Sequence, residues 1–347
     1  MRILNSLILI VFFSFGISIP FKNRYIVPLY LKVGLSVGYN DNIFLFSDEE
    51  KNDNDSYKYM GNSSTYDSST IKPDIRILYS PHIVDGKTTN FIFYSSLSNY
   101  PNVVDNNSIY YSMRFEYKIK SYNWVKFGYR NSLNNFLRYY NDSDLPGNDY
   151  IECDYSSESI YVSYSLNFNE YGWSKFRLLA SEQFYNPNFT EFDTRINEIS
   201  FKHHLDYKLF QISISLLRSF ADNISYKNGL LSTEFDRSYN SSELGFTVKN
   251  NLKKFFNQII VGYNYNERFY KSELLLDPLH SGRSHQEHSL FIEIRKKLRE
   301  DINIGLKYKV RNRKTISDFD WVESLKSFQD SQILMKITYD MDIDTFY

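Results

Sequence analysis

The strongest constraint on this chain is a two-residue alternation of apolar and polar side chains, which returns in one segment after another of about ten residues. Successive side chains of a β-strand point to opposite faces, so each segment predicts a strand with one apolar and one polar face. Met113 and Phe115 share the apolar face of one such segment, and Arg114 lies on the polar face. A tilted strand of this length crosses a bilayer. The alternation therefore predicts membrane-spanning strands.

The connections between these segments alternate in length. Long polar stretches fall at 45–68, 101–107, 136–156, 185–194, 221–237, 270–286 and 312–328. Short turns fall near 80–88, 120–123, 169–173, 206–209, 249–255 and 298–301. Long loops on one side and tight turns on the other are typical of outer-membrane barrels. We predict an all-β fold, a transmembrane antiparallel up-and-down β-barrel of about 14 strands (roughly 12–16), with short periplasmic turns and long extracellular loops.

Composition removes several other classes of protein. No apolar run after residue 20 approaches the ~20 residues of a transmembrane helix, so membrane crossing must rest on strands. The chain has 40 basic and 41 acidic residues, and this balance gives no reason to expect nucleic-acid binding. Its single cysteine excludes an internal disulfide and a cysteine-based metal site. We expect no cofactor.

The first 18 residues have the composition of a bacterial signal peptide. A basic start at Arg2 is followed by the apolar stretch 3–15, and small residues stand at both cleavage-site positions of 16–18. An N-terminal membrane anchor is the alternative. The predicted organisation is a cleaved signal peptide at 1–18, a short periplasmic segment at 19–28 and a single barrel domain at 29–347.

Aromatic residues cluster near the short turns and also end the last predicted strand. A group near the short turns predicts a periplasmic aromatic girdle: Tyr117, Tyr122, Trp124, Phe168, Tyr171, Trp173, Tyr207, Phe210, Phe255 and Phe256. The last strand alternates up to a terminal aromatic residue and resembles the assembly signal of bacterial outer-membrane proteins. The predicted signal consists of Tyr339, Met341, Ile343 and Tyr347. An ordinary amphipathic last strand is the alternative.

The segment 33–44 reads Val-Gly-Leu-Ser-Val-Gly-Tyr-Asn-Asp-Asn-Ile-Phe. It resembles the opening strand of bacterial outer-membrane barrels described as porin-like or surface-polysaccharide-associated, in which a Gly-containing strand runs into a Tyr-Asp-(Asp/Ser)-Asn-(Ile/Val) corner at 39–43. Asn40 replaces the first aspartate of that corner. The resemblance implies a barrel in the outer membrane and brings no settled substrate or catalytic residues. Independently of it, Asp41 and Asn42 suit a turn at the end of a strand.

Charged side chains on the polar faces predict the lining of the barrel. The predicted pore-lining residues are Lys32, Arg76, Arg114, Glu116, Lys118, Lys126, Arg130, Arg177, Arg268, Arg295, Lys307, Lys309 and Arg311. Bases outnumber acids on these faces, which indicates a weak preference for anions. The alternative is that the charges pair across neighbouring strands and stiffen a nearly filled barrel.

Three histidines are candidates for chemistry of another kind. His280, His285 and His288 lie close to Glu287 and to several serines, but their spacing fits no standard zinc site. A rim-sited hydrolase would need one of these serines to be activated by a histidine. Cys153 is expected to be an inert thiol in a loop. We predict no catalytic and no metal-binding residues, and no enzyme.

Three functions remain open at the level of the sequence. The first is a passive porin-like channel for small polar solutes, with a possible weak anion preference. The second is a non-transporting barrel that serves as a surface scaffold, an adhesin or a component of polysaccharide export, and the third is a rim-sited hydrolase. All three place the chain in the bacterial outer membrane, with membrane lipid, lipopolysaccharide and the barrel-assembly machinery as partners.

Overall fold

The computed structural model describes residues 27–61, 63–83, 87–121, 123–141, 150–168, 172–224, 236–252, 255–273 and 277–343. The predicted signal peptide and Tyr347, the terminal residue of the predicted assembly signal, lie outside the described residues. Neither α-helix in the described part has the length and apolar character needed to cross a membrane.

Fourteen strands form one closed antiparallel sheet, in which each strand pairs with its sequence neighbours and β1 pairs with β14. The strands are β1 Leu29–Asn40, β2 Ser68–Tyr79, β3 Thr89–Ser98, β4 Ser108–Lys120, β5 Asn123–Asn141, β6 Tyr150–Asn167, β7 Trp173–Tyr185, β8 Thr194–Tyr207, β9 Phe210–Asn223, β10 Tyr239–Asn251, β11 Gln258–Tyr270, β12 Ser284–Lys297, β13 Ile302–Ile316 and β14 Phe328–Ile343. This confirms the predicted up-and-down barrel. Closure leaves no strand edge unpaired, as lipid requires.

The apolar parity of the strands forms the outer surface. Val33 and Leu35 of β1 are 40% and 45% exposed and pair with Tyr339 and Ile337 of β14, which are 43% and 42% exposed. The same parity in β8 places His203 on the outer surface, opposite Ser174 of β7. The Ser174 Oγ lies 2.7 Å from Nδ1 of the His203 ring. The barrel therefore presents a continuous apolar belt to its surroundings.

Long and short connections lie at opposite ends of the barrel, which we call the long-loop end and the short-turn end. One predicted boundary was wrong: most of the long loop predicted at 136–156 is strand, because β5 continues to Asn141 and β6 begins at Tyr150. Two register shifts in β5 accommodate this extension. Cys153, predicted to lie in a loop, is a fully buried residue of β6.

The extended hairpin supports a cap at the long-loop end. The first loop contains the helix Asp48–Asn52, which starts with a capping box between Ser47 and Glu50. Its apolar side chains join those of the second loop and β5 in one buried core: Phe44, Phe46, Met60, Val103 and Phe136. The helix Asp320–Lys326 of the last loop contacts the first-loop helix. Loop side chains thus cover the long-loop end of the barrel.

The girdle prediction was wrong for two tryptophans. Trp124 pairs with Lys118 and lies on the inward parity, where it contacts the ammonium groups of Lys118 and Lys126. Trp173 also points inward and stacks on His204 with ring centroids 3.9 Å apart. Strand parity therefore decides the side of these aromatics. Tyr122 and Tyr171 lie outside the described residues.

Candidate functional site

Every residue of the predicted pore lining lies on the parity that faces the barrel interior. The register shows this directly, since Lys32 pairs with Arg76 on β2 and Arg114 pairs with Gly128 on β5. Side chains of distant strands meet on this parity: Glu243 of β10 interacts electrostatically with Arg177 of β7. The structure therefore gathers the polar faces of all fourteen strands around one interior.

Most inward carboxylates form ion pairs with inward bases. Lys32 lies 2.8 Å from Asp340 across the β1–β14 seam. Glu116 binds both Arg114 and Lys126, at 2.8 and 3.0 Å. The remaining pairs join Arg177 to Glu198, Arg295 to Glu293, Arg311 to Asp330 and Glu287, Arg313 to Glu287, and Lys336 to Asp74. The predicted pairing of charges across neighbouring strands therefore occurs, and it involves most of the inward carboxylates.

Many inward bases have no such partner. Within the described ranges, these bases form no ion pair: Lys72, Arg76, Lys118, Arg130, Lys175, Lys202, Arg268, Lys307 and Lys309. Several rest on aromatic rings instead. Arg130 lies 4.6 Å from the ring centre of Tyr161, and Lys307 lies 4.7 Å from that of Phe291. The interior therefore keeps an excess of positive charge after local pairing.

Interior side chains differ widely in burial along the barrel. Near the short turns and at mid-barrel, the side chains of Lys32 and Lys336 remain 39% and 40% exposed. At the long-loop end, Thr70, Thr315 and Asn223 are almost completely buried beneath the cap. Near the short turns, inward Glu116 and Ser163 are also buried, at 6% and 2% exposure, so closely packed interior side chains occur toward both ends of the barrel.

Three arginines converge just below the cap. Arg268 of β11 lies 4.2 Å from the ring centre of Tyr239, and Arg283, immediately before β12, lies 3.9 Å from that of Tyr270. Arg237, just before β10, packs on Tyr185 and Phe192 at 5.1 and 4.6 Å. All three interact electrostatically with Tyr270. We call Arg237, Arg268 and Arg283 the arginine cluster.

The predicted pore lining included Arg268 but neither Arg237 nor Arg283. Both precede a strand by one or two residues, so the predicted loops contained them. Extending the strand parity backward by one step from Tyr239 and from His285 places them on the inward face. This continuation of the alternation could have predicted that both arginines face inward. Their closeness to Tyr270 could not be predicted, because it depends on how neighbouring strands are aligned.

Two further bases lie near the cap. Arg138 forms an ion pair with Glu50 of the first-loop helix, and both side chains are nearly buried. Lys326, in the last-loop helix, interacts electrostatically with Arg283 and Arg138. Burial lowers the pKa of Lys326 to about 7.

The three predicted histidines lie in different environments. Nδ1 of buried His280 lies 2.8 Å from Asp277, and Nδ1 of His285 lies 2.9 Å from the Thr315 hydroxyl inside the barrel. His288 points outward, 2.7 Å from the Tyr263 hydroxyl. Strand parity separates His285 from His288. No group of three potential metal ligands occurs in the part of the chain that the structure describes.

The corner at 39–43 holds the first loop in place. Asp41 accepts hydrogen bonds from the backbone and side chain of Ser331 on β14. The Asn42 amide donates to the carbonyls of Phe46 and Gln329 and accepts from the Phe46 N–H. Asn42 is fully buried. These contacts give the corner a structural role at the start of the cap.

Comparison with known proteins finds similar barrels among solved structures. A bacterial polysaccharide outer-membrane secretin matches with 9% identity and a TM-score of 0.45, over 92% of this chain and 100% of its own. An anion-selective porin from Comamonas acidovorans matches with 8% identity and a TM-score of 0.44, over 90% and 98%. The outer-membrane channel DcaP of Acinetobacter baumannii matches with 9% identity and a TM-score of 0.46, over 90% and 96%.

No protein-family model and no curated protein matches the chain significantly. The structural similarities above are too low in identity and TM-score to transfer a function to this chain. The fold therefore rests on its own strand pairing.

Proposed function

We propose that the protein is an outer-membrane channel for small polar solutes with a preference for anions. The observation that carries this proposal is the excess of inward bases left without an acid partner, of which Arg76, Lys118 and Arg130 are examples. Fixed positive charge along a polar interior attracts anions and repels cations. The ion pairs on the same wall stiffen it without removing this excess.

The apolar belt supports a membrane location. Large apolar side chains on the outer parity are commonly 40–57% exposed, as Leu244 and Ile199 show with 47% and 57%. Exposure of so much apolar surface to water is unfavourable, and contact with lipid removes that cost. We infer an integral outer-membrane protein that contacts lipid and lipopolysaccharide and is inserted by the barrel-assembly machinery. The signal peptide at 1–18 and the C-terminal assembly signal are parts of this proposal.

Single-channel recording of the refolded protein in a planar bilayer tests the function. With a salt gradient, an anion-preferring pore gives steady ohmic steps and a reversal potential of the sign expected for chloride permeation. Replacing Arg76, Lys118 and Arg130 together by glutamine is expected to reduce this anion selectivity. The outward-facing variant Arg195→Gln serves as control, because its charge lies on the other side of the wall.

A non-transporting surface barrel is the second candidate, and the cap favours it. The first-loop and last-loop helices pack together over the long-loop end and present a compact surface. A correctly folded barrel that conducts no ions would reject the channel and support this function. For the rim hydrolase, the His280 ring contacts Asp277 and no serine hydroxyl among the described residues, while the serine–histidine contact of Ser174 and His203 lies on the outward parity.

A further inference from the structure

The arginine cluster concentrates positive charge where little water is available to solvate it. Arg283 is only 6% exposed, and the Nε atoms of Arg268 and Arg283 are buried without a hydrogen-bond partner. A buried charge is costly unless an opposite charge or strong hydrogen bonds compensate it. The cluster therefore requires compensation from a nearby group.

Several carboxylates near the cluster are bonded to other residues. Asp277 is bonded to His280, Glu50 to Arg138, and Glu287 to Arg311 and Arg313. Across the described segments, no carboxylate forms an ion pair with Arg237, Arg268 or Arg283. The protein thus surrounds the three guanidinium groups with aromatic rings and hydroxyls instead of acids.

The aromatic surroundings hold the guanidinium groups in position. Tyr270 lies 5.8 Å from Tyr239 and 5.5 Å from His285, measured between ring centres. The faces of Tyr239 and Tyr270 support Arg268 and Arg283, so both planar groups have restricted orientations. A positioned guanidinium with a free Nε–H offers the paired donors that match two oxygens of a tetrahedral anion.

We propose that Arg237, Arg268 and Arg283 form a binding site for a small multivalent oxyanion of the phosphate or sulfate type. All three residues follow the inward parity, so the ligand is a soluble anion from the barrel interior and not a lipid headgroup. Several guanidinium groups favour a multivalent anion over chloride, since each adds a charge-assisted hydrogen bond. The inference deepens the proposed channel function, because it places a saturable site on the path of the solute.

Isothermal titration of the refolded protein in detergent micelles tests the site without requiring conduction. Inorganic phosphate and sodium sulfate, added at pH 7 in chloride buffer, are each expected to bind saturably and to compete. Sodium nitrate is expected to give no saturable signal. Arg268→Gln and Arg283→Gln are each expected to weaken sulfate binding by about tenfold or more. Arg195→Gln, an outward arginine paired with Glu182, is the matched control and should bind sulfate normally.

Two further variants keep the test decisive. If Arg283→Gln fails to fold, Arg283→Lys retains the charge but loses the paired donors, and it should bind sulfate more weakly than the wild type. Tyr270→Phe removes the internal alternative, in which an ionised Tyr270 neutralises the cluster. A phenolate absorbance band near neutral pH that Tyr270→Phe abolishes, together with no sulfate binding, would overturn the proposal.

Other outcomes also separate the site from the channel. Sulfate binding that survives Arg268→Gln and Arg283→Gln, or that Arg195→Gln removes equally, contradicts the assignment to this cluster. A barrel that binds sulfate but conducts no ions keeps the site and rejects the channel. A conducting barrel without saturable sulfate binding keeps the channel and rejects the site.

Discussion

Gly34 lies between the two partners of an ion pair that spans a strand. Lys336 of β14 reaches across β1 to Asp74 of β2, with Nζ and Oδ2 2.6 Å apart. A side chain at Gly34 would collide with the Asp74 carboxylate. The absence of a side chain here therefore allows a contact that links three strands.

Gly34→Ala is expected to lower the free energy of unfolding by about 1–3 kcal/mol, because the new methyl group displaces the Asp74 carboxylate. Gly305→Ala is the matched control, since its nearest neighbouring atom would lie 3.7 Å away. The control should leave the free energy of unfolding unchanged or raise it slightly, because alanine loses less conformational freedom than glycine when a strand forms. Denaturant unfolding in detergent measures both variants. Equal effects of the two substitutions would contradict this account.

Asn42 holds the start of the first loop in place through buried hydrogen bonds. Asn42→Ala removes two hydrogen bonds donated to carbonyls and one accepted from the Phe46 N–H, all in a buried position. We expect a loss of about 2 kcal/mol or more in stability and faster proteolysis of the first loop. Asn52→Ala, which removes one exposed hydrogen bond, should change neither. Proteolysis rates that do not differ between the two variants would show that the corner does not anchor the loop.

At the scale of elements, the first-loop helix is joined to β5 by the ion pair of Glu50 and Arg138. Their side chains are 5% and 11% exposed, so removing one partner leaves a nearly buried charge. Glu50→Ala is therefore expected to destabilise the cap by about 3–5 kcal/mol. The double variant with methionine at both positions should recover most of this loss. Proteolysis of the first loop measures it, and a double variant as unstable as the single one would refute the charge explanation.

The turn at 277–282 contains His280, a buried histidine that makes the stability of the protein depend on pH. Burial, together with the nearby Arg283 and Arg237, lowers the pKa of His280 to about 4, against 6.5 for an ordinary histidine, while Asp277 opposes the shift. Because the folded pKa lies below the unfolded one, the unfolded chain binds more protons between these values. Stability is therefore highest above about pH 6.5 and falls as the pH drops toward 4.

His280→Gln should remove this part of the pH dependence. Unfolding midpoints of wild type and variant, measured at several pH values from 7 to 4, isolate the contribution, since other titrating groups are common to both. The difference between the two proteins is expected to shrink as the pH falls. A difference that stays constant over this range would contradict a neutral, buried His280 in the folded protein.

At the scale of the whole molecule, the barrel carries a cap of packed loop side chains at its long-loop end. If the cap limits flow, replacing residues 48–60 by a short Gly-Ser linker should raise single-channel conductance several-fold relative to the intact chain. Glu49→Gln, an exposed change within the same helix, should leave conductance unchanged. Unchanged conductance in the shortened variant would place the constriction elsewhere, for example at the arginine cluster.

The sequence by itself determined the fold class, the approximate strand number and the side of the wall that each strand residue faces. These properties follow from alternation within single strands, and burying one face against lipid enforces that alternation everywhere. Phe115 and Arg114 show how directly it works, since neighbours in the chain lie on opposite sides of the wall. Met335 and Ile337 follow the same rule in the last strand.

Only the tertiary structure decided which inward residues meet. The contact of Lys336 with Asp74 depends on the register of three strands, and the arginine cluster depends on where β10, β11 and β12 begin and end. The cap depends on packing between loops that are far apart in sequence. These contacts depend on barrel closure and strand register, and the alternation along one strand contains no information about either.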